Sequence, residues 1–206
     1  MSHWTNPIIL QQQEDLLQQL NLTIPNNDEQ QEAFDEIMES IRSFSTSNRD
    51  DLQCHQFHFI GGPGGTGKSA VFRKLHAACR SMGLLISICA ATSLAALLFE
   101  GATTAHALFG YPVQDEEDID DQNLAECKFN VERKALLHEV TVIFWDEFIS
   151  NDRIIMEAVI ESFETLWDMP RYFVFVCAGD FAQVCIYVGI SMIIYMILYY
   201  DYGTYH

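Results

Sequence analysis

The chain has 206 residues, of which 49% are hydrophobic, and a formal net charge of −18 at pH 7. This length and apolar content allow one α/β domain with a buried core and exclude a chain that is disordered throughout. The excess of acidic over basic residues argues against a nucleic-acid surface spread over the whole chain, because phosphate affinity comes mainly from Lys and Arg. A narrow groove that uses backbone amides and a few basic residues is not excluded.

The predicted elements begin with two helices. Residues 7–20 are predicted to form a polar helix with a thin apolar stripe. Asn27 is the predicted N-cap of the second helix, with Gln30 at the capping-box position. Apolar residues recur behind this cap at helical spacing, at Ala33, Phe34, Ile37, Met38 and Ile41. We expect residues 43–51 to form a loop and residues 56–60 (QFHFI) to form a buried strand.

The rest of the chain alternates between strands and helices. Helices are predicted from Lys68 to about Met82, over 92–101 behind a Thr92 cap, over 131–138 and over 153–167. Strands are predicted at 84–90, 141–145 and 172–178. This order predicts a parallel sheet that is covered by helices on both faces.

The six cysteines contain no C-x-x-C pair and lie mostly in apolar runs. We interpret them as reduced core residues of an intracellular protein. Cys54, His55 and His58 are close in sequence, but their spacing fits no standard zinc pattern, so a structural role is favoured.

The N-terminus lacks a basic segment followed by an apolar core, and no signal peptide is expected.

The segment GPGGTGKS (62–69) matches the complete phosphate-loop pattern G-x-x-x-x-G-K-[ST] between a predicted strand and a predicted helix. Glycines let backbone N–H groups approach phosphate oxygens at the positive end of the following helix. Lys68 is predicted to reach the β and γ phosphates, and Ser69 to ligate Mg²⁺. The predicted phosphate-binding residues are Gly62, Pro63, Gly64, Gly65, Thr66, Gly67, Lys68 and Ser69. The sequence therefore predicts a P-loop NTPase that binds ATP with Mg²⁺.

Two further strand ends carry acidic residues. TVIFWDEF (141–148) places Asp146 and Glu147 after an apolar strand. We expect Asp146 to hold the Mg²⁺ shell and Glu147 to orient or deprotonate the attacking water. In VFVCAGDFAQV (174–184), Asp180 and Gln183 are predicted to lie beside the γ-phosphate, with Gln183 as its sensor. Lys68, Glu147 and Gln183 are thus the predicted catalytic residues.

Together these motifs resemble the PIF (petite integration frequency) family of superfamily-1, 5′-to-3′ DNA helicases, and in particular its relatives in Helitron-type transposons. The resemblance covers residues 26–184 and includes GGPGGTGKS (61–69), ATSLAALLFEGATTAHALF (91–109), VIFWDE (142–147) and AGDFAQV (178–184). It implies a RecA-like domain. Because NNDEQQEAFDEI (26–37) resembles the opening motif of the family, it also implies that Gln30 reads the adenine.

The resemblance further implies a single-stranded DNA partner. The region 91–109 lies against DNA in such helicases, which assigns DNA contacts to Thr92, Thr103 and His106. Phe109 could stack on a base. The residues themselves leave other roles open: Thr92 could be only a helix cap, His106 a structural histidine and Phe109 a core residue.

The expected organisation has three parts: an N-terminal helical extension (1–25), a first motor domain (26–184) and an atypical hydrophobic tail (185–206). The family continues after Gln183 into a second motor domain that supplies transition-state arginines. We expect the tail to be sequence read past a splice boundary or in a shifted frame, and the α/β domain to be incomplete at its C-terminus. The 206-residue chain is expected to bind ATP·Mg²⁺ without unwinding DNA.

Three alternatives remain beside a DNA-dependent ATPase motor. The first is a non-catalytic nucleotide-binding fragment of a transposon-derived helicase. The second is a phosphate-loop kinase, which would not account for Gln30, 91–109 or Gln183. The third is a membrane-anchored ATPase, which depends on the uncharged run 184–200 and is disfavoured because flanking Lys and Arg are absent.

By resemblance, we expect roles in DNA repair, recombination and telomere maintenance, in the nucleus or alternatively the mitochondrion. The sequence leaves the oligomeric state open.

Overall fold

A computed structural model describes residues 6–47, 55–111, 127–151, 153–165 and 172–180 of the chain. Five strands form one sheet: β1 Gln56–Gly61, β2 Ile86–Ala90, β3 Thr103–Thr104, β4 Val142–Asp146 and β5 Val174–Gly179. They lie in the order β1-β5-β4-β2-β3, and every neighbouring pair is parallel. The predicted α/β class with a parallel sheet is confirmed.

The helices follow the predicted alternation with the strands, except that strand β3 and helix α5 were not predicted. They are α1 Pro7–Thr23, α2 Asp28–Thr46, α3 Lys68–Ser81, α4 Ser93–Ala96, α5 Ala105–Phe109, α6 Val131–Glu139 and α7 Arg153–Thr165, with a 3₁₀ turn at Phe148–Ser150. The capping box predicted at the start of α2 is confirmed. The Gln30 N–H donates to Asn27 Oδ1 at 2.8 Å, and the Asn27 N–H donates to Gln30 Oε1 at 3.1 Å.

The two largest errors in the predicted boundaries lie at helix ends. Helix α2 continues through residues 43–46, where a loop was predicted, because Phe44 is buried in the core and the Thr46 hydroxyl donates to the Arg42 carbonyl at 2.9 Å. The helix behind Thr92 is shorter than predicted. It ends at Ala96 and tightens into turns in which the Phe99 N–H donates to the Ala96 carbonyl at 3.2 Å, before Gly101 adopts a positive φ of 76°.

Both faces of the sheet are covered. Apolar side chains of α2 and α3 pack on one face, and those of α5, α6 and α7 pack on the other. The central strands β4 and β5 are buried along their whole length, which explains why they read as continuous apolar runs rather than alternating ones. Strand β1 was predicted to be buried but is mostly half-buried, because it lies at an edge of the sheet.

Several predicted features lie outside the described residues: Gln183, the tail 185–206, the apolar run 184–200 and Cys54. Within the described ranges, no helix has the length and apolarity needed to cross a membrane. Cys79, Cys89 and Cys177 are buried free thiols. Burial raises the pKa of the Cys79 thiol to about 12, and it also raises the pKa of the Cys89 and Cys177 thiols.

Candidate nucleotide-binding site

The carboxyl ends of the parallel strands bring the predicted site residues to one edge of the sheet. Gly61 at the end of β1 lies opposite Gly179 at the end of β5, and Ala90 at the end of β2 lies opposite Asp146 at the end of β4. Each of these residues borders or belongs to one of the predicted motifs. Ligands of open α/β sheets bind beyond this edge, so the fold places the motifs where a nucleotide site is expected.

The phosphate loop connects β1 to α3. Gly65 and Gly67 have φ values of 82° and 87°, in the left-handed region that favours glycine. Gly67 is the N-cap of α3, so the helix begins at Lys68 with its first N–H groups facing the loop. The Thr66 hydroxyl donates to the Pro63 carbonyl at 2.8 Å and closes the turn. The predicted strand–loop–helix arrangement is confirmed.

The ammonium group of Lys68 folds back on its own loop. Lys68 Nζ donates to the carbonyl of Gly62 and, at 2.9 Å, to the carbonyl of Pro63. Among the described residues, no carboxylate oxygen lies within 4.0 Å of Lys68 Nζ. Its charge is held by neutral carbonyls and is available for an anionic ligand.

Asp146, the last residue of β4, and Glu147, which follows it, lie in very different environments. The Asp146 side chain is buried, and Oδ1 accepts a hydrogen bond from the Glu147 N–H at 3.0 Å. Burial raises the pKa of the Asp146 carboxyl, and the nearby Glu147 carboxylate raises it further, against the opposing effects of that hydrogen bond and of Lys68. Glu147 is exposed and has a φ of 50°, the only positive φ of a non-glycine residue among those described.

Asp180 lies against the phosphate loop. Its Oδ2 accepts a hydrogen bond from the Gly64 N–H at 3.2 Å. The preceding residue, Gly179, ends β5 and packs closely on Ile149: a Cβ added at Gly179 would come within 2.6 Å of Ile149 Cγ1. An anionic oxygen thus already binds one amide of the loop, at a position where a phosphate oxygen could take its place.

Gln30 reaches the same loop from α2. Its Nε2 donates to the carbonyl of Thr66 at 2.7 Å, and a Cβ added at Gly67 would come within 2.7 Å of the same nitrogen. The residue assigned by resemblance to the adenine therefore contacts the loop assigned to the phosphates. This arrangement brings the two predicted parts of a nucleotide site together.

The residues assigned to DNA divide into two groups. Thr92 is exposed, and Thr103 and His106 are partly exposed. The His106 ring packs edge-on against Tyr111, with the ring centroids 5.7 Å apart. The assignment of Phe109 to base stacking is wrong. Its ring is fully buried and packs against Trp145 and Phe163, so it has no face open to a base.

Sequence reasoning missed several contacts in and near the site. These are the hydrogen bond from Lys74 Nζ to Asn26 Oδ1 (2.7 Å), the bond from the Thr92 hydroxyl to Glu147 Oε2 (3.2 Å) and the bond between Gly64 and Asp180. No local pattern predicts them, because each joins distant parts of the chain.

His55, considered beside Cys54 and His58 for zinc, lies instead among five aromatic rings.

The residues at this edge fit a magnesium nucleotide. The loop offers backbone N–H groups and a lysine to phosphate oxygens, while Ser69 and Asp146 supply oxygen atoms of the kind that Mg²⁺ prefers. Within the described ranges, no group of three or more His, Cys, Asp or Glu residues is placed to hold a metal ion. This donor set suits Mg²⁺, which is usually held by one or two protein oxygens together with phosphates and water.

Comparison with known proteins agrees with this arrangement. The family model described as PIF1-like helicase matches residues 26–189. The ATP-dependent DNA helicase PIF3 of Trypanosoma brucei brucei is 39% identical over 59 residues, which make up 29% of this chain and 7% of that protein.

Solved structures show the same fold. The Pif1 helicase from Bacteroides in complex with ADP-AlF3 and ssDNA has a TM-score of 0.53 at 21% identity, covering 69% of this chain and 31% of that one. Pif1 helicase from Candida albicans has a TM-score of 0.51 at 20% identity, covering 77% and 33%. The chain therefore spans about a third of the length of these solved relatives.

The fold and the site define a phosphate-loop nucleotide-binding domain of the RecA-like class. Because the family model covers most of the chain, the chain belongs to the PIF1-like helicase family.

Proposed function

We propose that residues 26–184 form the first, ATP-binding motor domain of an ATP-dependent DNA helicase, with residues 1–25 as a helical extension and 185–206 as a separate tail. The observation that carries the proposal is the meeting of four motifs at one sheet edge. Gln30, Lys68, Asp146 and Asp180 come from separate parts of the chain. They converge on the loop between β1 and α3 or on the strand ends beside it.

Each residue has a proposed role. Gln30 reads the adenine, the loop residues 62–69 bind the phosphates, and Lys68 moves from its carbonyl partners to the β and γ phosphates. Ser69 and Asp146 would hold Mg²⁺, which supplies charge neutralisation at the transferring phosphoryl group. Glu147 orients or deprotonates water, and Asp180 and Gln183 act beside the γ-phosphate.

Unwinding is proposed for a complete two-domain motor rather than for this chain alone. In helicases of this kind, catalysis uses arginines of the second domain. We therefore expect the 206-residue chain to bind ATP·Mg²⁺ and not to separate strands. A 5′-to-3′ direction, roles in repair, recombination and telomere maintenance, and a nuclear location (with the mitochondrion as the alternative) are proposed from the resemblance to the family.

The first test measures binding of a fluorescent ATP analogue with Mg²⁺ to the 206-residue chain. Lys68→Ala should weaken binding at least about tenfold, because a charge-assisted contact to phosphate is lost. Lys134→Ala removes an equal charge from the exposed surface of α6 and serves as the matched control. Equal affinities of the Lys68→Ala and Lys134→Ala variants, with unchanged thermal unfolding, would contradict the proposal.

A second measurement separates the motor from its main alternative. Phosphate release from ATP is followed with and without single-stranded DNA. Stimulation by DNA that disappears in Lys68→Ala supports a DNA-dependent ATPase. Because the transition-state arginines are expected in the second motor domain, this measurement uses a longer polypeptide that includes that domain. Nucleotide binding there with no DNA-stimulated release supports a non-catalytic nucleotide-binding fragment.

A further inference from the structure

The Thr92 hydroxyl joins the end of β2 to the end of β4. It accepts a hydrogen bond from the Ala95 N–H at 3.2 Å, which caps α4, and it donates to Glu147 Oε2 at 3.2 Å. A threonine hydroxyl has one hydrogen to donate. While that hydrogen is directed to Glu147, Thr92 cannot donate to any other acceptor.

The backbone explains why these two side chains meet. Strands β2 and β4 are neighbours, with Ala90 opposite Asp146, and the Ala91 N–H donates to the Asp146 carbonyl at 3.1 Å. The residue after β4, Glu147, then turns with a φ of 50°, an uncommon conformation for a residue with a side chain. Both side chains are exposed, so a ligand can reach the contact.

We propose that Thr92 is a positioning residue that links DNA binding to Glu147 by exchanging its single hydrogen between the two. This inference rests on the proposed function of the chain as a DNA-dependent motor. Without DNA, the hydroxyl holds the Glu147 carboxylate toward β2. A DNA phosphate offers only acceptor oxygens, so it binds Thr92 by taking the hydrogen from Glu147. The carboxylate is then released to orient water.

Such an exchange is reciprocal. If DNA and Glu147 compete for one hydrogen, then removal of Glu147 must strengthen the contact of Thr92 with DNA, and DNA must weaken the hold on Glu147. The affinity for DNA therefore reports the link even where hydrolysis by the 206-residue chain is slow.

The test is a double-mutant cycle in the 206-residue chain, read by fluorescence anisotropy of a labelled oligothymidine at one fixed low salt concentration. Glu147→Ala removes a negative charge and the acceptor for Thr92, so DNA binding should tighten. In the Thr92→Val background only the charge effect remains. The tightening should therefore be at least about twofold larger when Thr92 is present than in the Thr92→Val background.

Two further variants separate the link from helix capping. Thr104 caps α5 in the same way, accepting from the Ala107 N–H at 3.2 Å. Thr104→Val should leave the tightening by Glu147→Ala at its wild-type value. Thr92→Ser keeps a hydroxyl and should also preserve it, whereas a role limited to stability would affect thermal unfolding and not this ratio.

The outcomes distinguish the two proposals. Equal tightening by Glu147→Ala with and without the Thr92→Val substitution, with DNA binding intact, overturns the link and leaves the proposed function standing. If the Thr104→Val substitution also abolishes the extra tightening by Glu147→Ala, helix capping explains the effect and the link is overturned. No binding of oligothymidine by the wild-type chain contradicts the DNA partner and therefore both proposals.

Discussion

Gln30 donates from Nε2 to the backbone carbonyl of Thr66 at 2.7 Å, while its Oε1 accepts from the Asn27 N–H at 3.1 Å. One amide group thus connects the N-terminus of α2 to the phosphate loop. Both the oxygen and the nitrogen of this amide are therefore hydrogen-bonded within the protein. To read an adenine, Gln30 has to exchange at least one of these partners for the base, so nucleotide binding and the position of α2 are coupled.

Gln30→Ala should lower the preference for ATP over GTP and reduce stability by about 1 kcal/mol, because the side chain that reads the base and half of the capping box are lost. Competition of ATP and GTP against a fluorescent analogue measures the preference. Gln31→Ala is the control, since Gln31 donates to Asp35 on the exposed side of the same helix. An unchanged ATP:GTP ratio in Gln30→Ala would remove Gln30 from the base site.

Asp146→Asn should stabilise the fold while removing the Mg²⁺-dependent part of nucleotide binding. Burial raises the pKa of this carboxyl, so its ionised form costs stability, and Asn keeps an Oδ1 acceptor for the Glu147 N–H. The gain should be largest at neutral pH and shrink as acid protonates Asp146. Urea unfolding and nucleotide titrations with and without Mg²⁺ measure the two effects.

The control for this prediction is Asp35→Asn, which removes an exposed carboxylate from α2. It should leave both stability and the Mg²⁺ dependence near wild type. Retention of the full Mg²⁺ dependence by Asp146→Asn would argue against Asp146 as a metal ligand.

Lys74→Met should match or exceed wild-type stability, whereas Asn26→Ala should cost about 1–3 kcal/mol. Lys74 is only 1% exposed and its Nζ donates to Asn26 Oδ1 at 2.7 Å. Burial lowers the pKa of its ammonium, so the charge itself is unfavourable there. Met fills similar space without a charge, while Asn26→Ala leaves the buried ammonium without this partner. Chemical unfolding at pH 7 that ranks the two variants in the opposite order would refute this account.

His55 should make the protein less stable as the pH falls. Burial lowers its pKa from 6.5 to about 3, and its Nδ1 accepts from the Phe173 N–H at 3.1 Å, which requires the neutral ring. The unfolded chain takes up a proton below about pH 6.5 and the folded chain does not. The residue's contribution is therefore complete above that pH and is lost at about 1.4 kcal/mol per pH unit toward pH 3.

His55→Gln keeps an acceptor without a titrating ring and should flatten this slope by about one proton. Unfolding free energies between pH 7 and pH 4 measure it. His58 and His76 also have lowered pKa values, so the wild-type slope includes them and only the difference reports His55. An unchanged slope in His55→Gln would contradict the assignment.

Much of the fold and part of the site follow from local chemistry. Gly65 and Gly67 reveal the phosphate loop because positive φ angles favour glycine. Asn27 and Gln30 indicate the start of α2 by the chemistry of a helix N-terminus. The apolar runs of β4 and β5 indicate strands that are buried on both faces, which is why the parallel sheet was predicted correctly. The predicted end of α2 was wrong at residues 43–46, which were predicted as a loop from their polar composition but stay helical because Phe44 is buried.

The sequence by itself determined the motifs and their order, because each motif is a short pattern with its own backbone and hydrogen-bonding requirements. Only the tertiary structure decided which motifs touch. The strand order β1-β5-β4-β2-β3 brings Thr92 to Glu147 and Gly64 to Asp180, and it buries Phe109 in the core rather than offering it to a base. Such contacts depend on how the whole sheet packs, and no local periodicity encodes that packing.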